Sequence, residues 1–305
     1  MEVEFVPKHR HKLKVESYMK HAEISELISQ AKREDIGADG RDVTSELLVT
    51  DNLPTHSVMR TRQSGCISGM AILAMIGHEY DDRIAVDIRV PDGQTVEVGA
   101  TVAEFFGPRR SLLSMERVAL NFICHLSGIA TLTSTYVQAV ANTAAKIYDT
   151  RKTLPGLRGL EKYAVACGGG WTHRFGLHDA ILIKDNHLAH LQADDLGPTL
   201  VGLIKSARFL SPAPKFIEVE VDTLEQLGPV LACRPDVVLL DNMTIEQMHQ
   251  AVAMRNDLAG AVALEASGGI VLETVAVIAK TGVDRIAVGA ITHSAPALDI
   301  GLDIQ

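Results

Sequence analysis

From about residue 145 to residue 288 the chain repeats one unit: a short apolar run, a polar or charged residue at its end, a loop, then a helical pattern. The apolar runs fall at 145–148, 180–183, 216–221, 237–240, 261–264 and 285–288, and helical patterns at 157–166, 244–254 and 271–280 lie between them. Strands that are apolar along their whole length are buried on both faces. Alternated with helices, they predict a parallel sheet covered by those helices. Six or seven such units fit a (β/α) barrel, including an incomplete one; a doubly wound open sheet is the alternative. No GxGxxG or GxxxxGK[ST] loop is present, which argues against the common nucleotide-binding folds.

The segment from about 15 to 107 has a different grammar. Residues 17–32 have helical spacing, with Ile24, Leu27, Ile28 and Ala31 on one side. Stretches 57–62, 84–90 and 95–98 read as short strands, broken at Pro91-Asp92-Gly93 and Gly107-Pro108, so an α+β domain is expected here. A long helical stretch follows at 111–141. Met115, Ala119, Phe122 and Leu126 share one face of it; Arg117 lies nearly opposite, yet Leu113, Leu120 and Cys124 are on its side. A helix apolar on two faces is buried on both, either between domains or in a subunit interface.

Composition narrows the function. Hydrophobic residues are 47% and charged residues 22%, values for a packed globular protein, and no apolar run reaches the roughly 18 residues that suggest a membrane span. Residues 1–20 read as an irregular arm without an export signal. Cys66, Cys124, Cys167 and Cys233 are widely spaced, which argues against a zinc site and suits a reducing cytoplasm. The net charge of −9 argues against nucleic acid. Its distribution says more. Residues 146–187 hold seven Lys/Arg against four acids, a charge of +3, and the remaining 22 basic and 34 acidic residues give −12. A basic island in an acidic chain is a place to hold a small, highly charged anion.

Barrels do their chemistry at the C-terminal ends of the strands. Those ends read Asp149-Thr150-Arg151-Lys152, then Lys184-Asp185-Asn186-His187, then Glu218 and Glu220 on one side of their strand, Asp241-Asn242, Ser267-Gly268-Gly269 and Gly289-Ala290. Gly168-Gly169-Gly170 and His173-Arg174 lie between the first two; one of these glycines could be a helix C-cap. Any one charged residue here could be a solvated loop start, and Glu218 and Glu220 could face solvent. His9, His11, His178 and His190 are assigned to surface or core. As a group, Arg151, Lys152, His173, Arg174 and Lys184 beside Glu220 and Asp241 suggest a mouth for multiply anionic ligands. A phosphate would sit on the late loops, and Mg²⁺ could sit at the acids.

The strings DTRKTLPGLRGLEKYAV (149–165), GGGWTHRFGLHDAILIKDNH (168–187), IEVEVD (217–222), LLDN (239–242), EASGGI (265–270) and AVGAITHSAPALDIGLDI (287–304) resemble the motifs of the quinolinate phosphoribosyltransferase family. ERVALNFICHLSGIAT (116–131) and, more weakly, REDIGADGRDVTS (33–45) extend the resemblance from about residue 20 to the C-terminus. It implies an α/β chain: an N-terminal α/β sandwich domain (1–116, rejoined by 294–305) and an incomplete barrel (117–293). It also implies transfer of phosphoribosyl from phosphoribosyl pyrophosphate to quinolinate with decarboxylation, yielding nicotinate mononucleotide, CO₂ and pyrophosphate for NAD biosynthesis. Arg117, Arg151, His173, Arg174 and Lys184 resemble the quinolinate-binding group, with Arg117 supplied by a neighbouring subunit of a homodimer or hexamer. Thr150 accompanies them as a substrate contact. Lys152, Glu220, Asp241, Ser267, Gly268, Gly269, Val288, Gly289 and Ala290 resemble the phosphoribosyl pyrophosphate site, with Glu220 and Asp241 toward Mg²⁺. Lys152, Lys184, Glu220 and Asp241 are the expected catalytic residues. The chain departs from the family pattern at Trp171-Thr172 and near Asp39–Arg41, away from any expected ligand contact. The rival readings are a related transferase acting on nicotinate or on a base of molybdenum metabolism, a Schiff-base aldolase using Lys184, and a non-catalytic phosphate-binding barrel.

Overall fold

The computed structural model describes residues 13–50, 53–188 and 193–305. His9, His11, His190 and most of the expected N-terminal arm lie outside them. The chain separates into two compact units, one comprising residues up to Ser134, Thr153–Gly169 and Ile291–Gln305, the other Thr135–Lys152 and Gly170–Ala290. Packing therefore groups 117–134 and 153–169 with the N-terminal part, where the sequence-based segmentation runs straight from 117 to 293.

The first unit is built on an antiparallel sheet. Strands β1 (Pro54–Thr61), β5 (Thr101–Pro108), β3 (Ala85–Ile88) and the C-terminal β12 (Ile300–Ile304) take the order β12-β1-β5-β3, and β2 (Gly65–Cys66) pairs with β4 (Thr95–Val96) apart from them. β12 enters antiparallel to β1, with Met59 opposite Leu302, so the C-terminal segment completes this sheet. Helices α1 (His21–Ile36), α2 (Val43–Leu48) and α3 (Met70–Tyr80) belong to the same unit. α3 has no side-chain cap from its own N-cap residue. Its first amides, of Met70 and Ala71, donate instead to the Asp92 carboxylate 22 and 21 residues away.

Helix α4 (Arg109–Ala139) is long and apolar enough, by length and composition, to cross a bilayer, but 56% of its most apolar 18 residues are buried inside the protein. It is a core helix. Met115, Ala119, Ile123 and Leu126 are fully buried, and Gly128 admits the chain at Pro296, where a Cβ would lie 2.1 Å from the Pro296 carbonyl oxygen. The contact is to backbone on both sides, so neither partner can yield cheaply. Gly128→Ala is expected to lower stability by roughly 2–3 kcal/mol as overpacking, read as a fall in the thermal unfolding midpoint; an unchanged midpoint would show that the 296–298 segment is not seated on α4.

Helix α5 (Arg158–Cys167) packs in this unit too, although it follows the first barrel strand. Its Glu161 is fully buried, 3.0 Å from Nε2 of His125 on α4, and accepts the amide N–H of Leu154. At its end Gly168 is the C-cap, but its φ of −71° is open to any residue. The constraint on Gly168 is space, since a Cβ would meet the Ala130 carbonyl at 2.4 Å. Gly169, with φ +84°, is the glycine held by its backbone conformation.

The second unit holds six parallel strands in the order β6-β11-β10-β9-β8-β7: β6 (Lys146–Tyr148), β7 (Ile181–Ile183), β8 (Ile217–Val221), β9 (Val237–Asp241), β10 (Ala263–Ser267) and β11 (Arg285–Ala287). Residues 171–173 extend the sheet beside β6, through a parallel bridge between Tyr148 and Trp171. From that edge His173 reaches Glu218 on β8 and Glu265 on β10, and Arg285 on β11 lies over the rings of Tyr148 and Phe216. Such cross-strand reach requires the sheet to curl onto itself. With helices α6 (Asp185–Leu188), α7 (Ala193–Ala207), α8 (Leu224–Ala232), α9 (Ile245–Leu258) and α10 (Leu272–Lys280) in the connections, the unit is an incomplete (β/α) barrel, as expected, and the open-sheet alternative falls away.

Candidate active site

All but one of the expected site residues lie in the second unit, at the C-terminal ends of its strands. Strand parity explains why. In β8 the odd-numbered Ile217, Val219 and Val221 are buried among helices, so Glu218 and Glu220 face the barrel interior. They occupy different depths. Glu218 is fully buried, whereas Glu220 is half-buried nearer the mouth, where it forms a tight ion pair with Lys184 at the end of β7. The solvent-facing reading of this pair of acids is thereby excluded.

Next to Glu220 in the sheet, β9 pairs Leu239 with it, and Asp241, two residues on, points the same way from the last position of its strand. Asp241 accepts a hydrogen bond from Asn242 Nδ2 at 2.8 Å and lies beside Ser267 in the sheet. Asn242 has a left-handed φ of +53°, and its amide donates to the Ser267 carbonyl at 2.9 Å. That turn leaves no room at Gly268, whose φ is +95° and whose Cβ would stand 2.2 Å from Asn242 Oδ1; Gly269 follows at φ +57°. The two glycines thus bring bare, exposed backbone to the rim of the mouth. On the far side, the Val288 amide donates to the Tyr148 carbonyl at 2.9 Å, which carries Gly289 and Ala290 to the same rim.

The first strand end and the 171–174 segment supply the cations. Thr150 Oγ1 accepts the Lys152 amide at 3.0 Å and shapes the turn that exposes the Lys152 side chain. Arg174 is 8% exposed, and its Nη1 makes a long 3.4 Å bond to the Ala180 carbonyl. Burial and the repulsion of Arg151 lower the proton affinity of its guanidinium. Two arginines therefore share one partly dehydrated space. Like charges so placed are poised for an anion.

Beneath this mouth lies a floor that charge patterning did not disclose. His173 donates its amide to Asp149 Oδ1 at 2.7 Å; its Nε2 is 2.8 Å from Glu218 Oε2 and 3.5 Å from Glu265 Oε1. Glu265 in turn faces Arg285 at 3.9 Å. Three ligand-type groups so close could suggest a metal. The 2.8 Å separation is instead that of a hydrogen bond, and His173 and Arg285 already oppose the two carboxylates. Burial alone would strip His173 of its proton, but Glu265, together with the bond to Glu218, outweighs it and raises the imidazole to about 10. Burial and then Glu265 push the proton affinity of Glu218 up as well. Meanwhile the Arg174 amide lies 2.7 Å from His173 Nδ1, an acceptor contact that directs the ring proton to Nε2, toward Glu218. A proton held between Nε2 and Glu218 satisfies all of these contacts.

Glu265 is the residue that sequence reading passed over. It lies within the EASGGI string but beyond the apolar run 261–264 and was given no role, whereas β10 runs on to Ser267. His178, left to surface or core, is exposed.

Arg117 stands apart from the rest, in the first unit. It is exposed on α4 and lines a cavity of about 320 Å³ with Arg62, Leu120, Cys124 and the 297–302 segment. Leu120 and Cys124 are on its side of the helix, as their spacing predicted.

Comparison with known proteins agrees with this geometry. Residues 42–127 match the family description "Quinolinate phosphoribosyl transferase, N-terminal domain", and 129–303 match the corresponding C-terminal domain. A nicotinate-nucleotide pyrophosphorylase [carboxylating] of Mycobacterium leprae is 44% identical over 92% of this chain and 96% of its own length. A probable enzyme of the same name from Bacillus subtilis is 38% identical over 94% and 95%. The solved structure of the nicotinate-nucleotide pyrophosphorylase from Francisella tularensis superposes with a TM-score of 0.84 at 37% identity, covering 93% of this chain and 96% of that one. By its two matched domains and these relatives, the chain belongs to the quinolinate phosphoribosyl transferase family.

Proposed function

We propose that the mouth of the barrel is where this enzyme transfers phosphoribosyl from phosphoribosyl pyrophosphate to quinolinate, releasing pyrophosphate and CO₂ and leaving nicotinate mononucleotide. The observation that carries the assignment is the buried Arg174 crowded by Arg151, a pair whose repulsion a dicarboxylate relieves. Planar guanidinium forks suit carboxylates, and they hold the pyridine ring in a fixed orientation. Lys184 and His173 complete this half of the site, and Arg117 enters from a second copy of the chain. With the ring held, its nitrogen is positioned to attack the anomeric carbon as the bond to pyrophosphate breaks. Lys152, exposed at the rim, takes up charge on the departing pyrophosphate. A carboxylate at Glu220 or Asp241 stabilises the positive charge that develops on the sugar. The N-ribosylated pyridinium then draws the electron pair of the C2–carboxylate bond into the ring as CO₂ leaves. The cationic pocket stabilises the resulting carbanion until it is protonated.

Glu220 and Asp241 fit a divalent cation of the Mg²⁺ kind. Both are hard oxygen donors on the same side of adjacent strands, and neither is fully buried. Mg²⁺ held there with substrate phosphates would neutralise pyrophosphate charge. The backbone of Ser267-Gly268-Gly269 and Val288-Gly289-Ala290 offers amides to the ribose phosphate. The four cysteines are free, in keeping with work in the reducing cytoplasm.

A direct assay tests the reading. Pyrophosphate and CO₂ should appear in equal amounts from quinolinate with phosphoribosyl pyrophosphate and Mg²⁺, and nicotinate should give neither. A chelator should stop the reaction and added Mg²⁺ restore it. Turnover of nicotinate at a comparable rate would overturn the substrate assignment, and full activity in chelator would remove the metal.

A further inference from the structure

Glu218 has no obvious part in the chemistry, since it is fully buried below Glu220 and out of reach of any ligand at the rim. Among the described residues its one hydrogen bond is to His173 Nε2, at 2.8 Å. His173 is tied at two further points, through its amide to Asp149 and through Nδ1, which receives the amide of Arg174. Both ring nitrogens are thus turned to protein groups, and the ring edge meets Phe216 at 5.4 Å. The residue fixed by this arrangement is the next one, Arg174. Among the described residues its guanidinium makes one hydrogen bond, the 3.4 Å contact to Ala180, and it is pushed by Arg151, so its direction depends on how firmly the preceding backbone is held. The rest of the floor keeps Glu218 in place. Arg285, set between the rings of Tyr148 and Phe216, faces Glu265 and prevents two bare carboxylates from repelling each other.

We propose that Glu218 is a positioning residue for the diacid site: through His173 it fixes the Thr172–Arg174 backbone and so aims the Arg174 guanidinium. The proposal rests on Arg174 binding quinolinate. It predicts a defect centred on one substrate: Glu218 is linked to Arg174 through His173, whereas Glu220, the one residue of the phosphoribosyl pyrophosphate side on the same strand, is held separately by Lys184.

The test compares Glu218→Ala, Glu218→Gln and Arg174→Ala in the assembled enzyme by steady-state kinetics with each substrate varied. Glu218→Ala cuts the link to Nε2. It should raise KM for quinolinate by about 10-fold or more, in line with the cost of a misplaced binding group, and leave KM for phosphoribosyl pyrophosphate within about twofold. Glu218→Gln keeps an oxygen that can accept from Nε2 and adds a donor for the Glu265 oxygens that have no hydrogen-bond partner among the described residues. It should restore quinolinate KM to within about threefold of the parent, because the hydrogen bond survives the loss of charge. Should Glu218→Ala not fold, Glu218→Met cuts the same link while keeping most of the side-chain volume and is read the same way. Equal changes in both KM values, no rescue by Glu218→Gln, or wild-type behaviour of Glu218→Ala would each overturn the proposal. If Arg174→Ala also leaves quinolinate KM unchanged, the site assignment itself has failed; if Arg174→Ala weakens quinolinate and Glu218→Ala does not, only this inference has.

Discussion

Arg174→Ala and Arg151→Ala should each lower kcat/KM for quinolinate by about 10³-fold, since a charge-assisted bond contributes roughly 1.5–3 kcal/mol and a fork lost from a carboxylate removes two. Lysine should recover little of this at either position, because a point charge cannot reproduce the planar pair of donors. The same geometry predicts the opposite sign for stability. Arg174 is nearly buried beside a second guanidinium, and both burial and that neighbour disfavour its charge in the ligand-free enzyme. Removing it should therefore leave the thermal midpoint unchanged or raise it by a few degrees while activity collapses, the trade expected where function stores strain. Near-normal kcat/KM in either alanine variant would sink the assignment of these two residues. A large loss of midpoint alongside the loss of activity would show Arg174 to be holding the fold.

The same contrast between local and distant chemistry separates what the sequence made legible from what it did not. The barrel strands were readable because most are apolar along their length, β8 at least at 217, 219 and 221, and each ends in a charged or glycine-rich loop. The one that slipped, β10, did so because Glu265 and Ser267 continue it. A buried glutamate inside a strand is tolerated only with partners, and those partners, His173 and Arg285, are 92 and 20 positions away in the chain. Helix α3 left no clear signal either. It is apolar nearly all round, and its N-terminal amides are satisfied by Asp92 from a later loop. β5 was hidden by Gly107-Pro108, which reads as a break. In the sheet these residues close the strand opposite Thr55 and Pro54, at a margin where a missing N–H does no harm.

The rim of the site was legible for a related reason. Cations and acids at successive strand ends converge once a barrel forms, so Lys184 and Glu220 could be placed at one mouth before their ion pair was seen. The floor was not, since a buried charge announces itself only through three-dimensional neighbours. The grouping of α5 with the first unit was hidden likewise. Its periodicity is that of any barrel helix, and its allegiance is set by Glu161 meeting His125, 36 residues earlier, and by Gly168 closing on Ala130.

Arg117 presents the remaining question, and its place in the first unit gives a prediction. It sits on an exposed, half-apolar face of α4 in the first unit, while Arg151, Lys152, Arg174 and Lys184 all belong to the second. If a second copy of the chain delivers Arg117 to the barrel mouth, Arg117→Ala and Lys152→Ala damage different chains of the same site. Each variant alone should be nearly inactive. Co-expressed, they form mixed dimers in which one site takes Lys152 from one chain and Arg117 from the other, and so is whole, while the second site has lost both. With random pairing, half the dimers are mixed and half their sites intact, so activity should return to about one quarter of the wild-type value. A Lys152→Ala chain paired with Arg174→Ala provides the control: both residues come from one barrel, so each mixed dimer has two damaged sites and no activity should return. Recovery in the first mixture but not the second would establish the shared site, and silence in both would place Arg117 outside it.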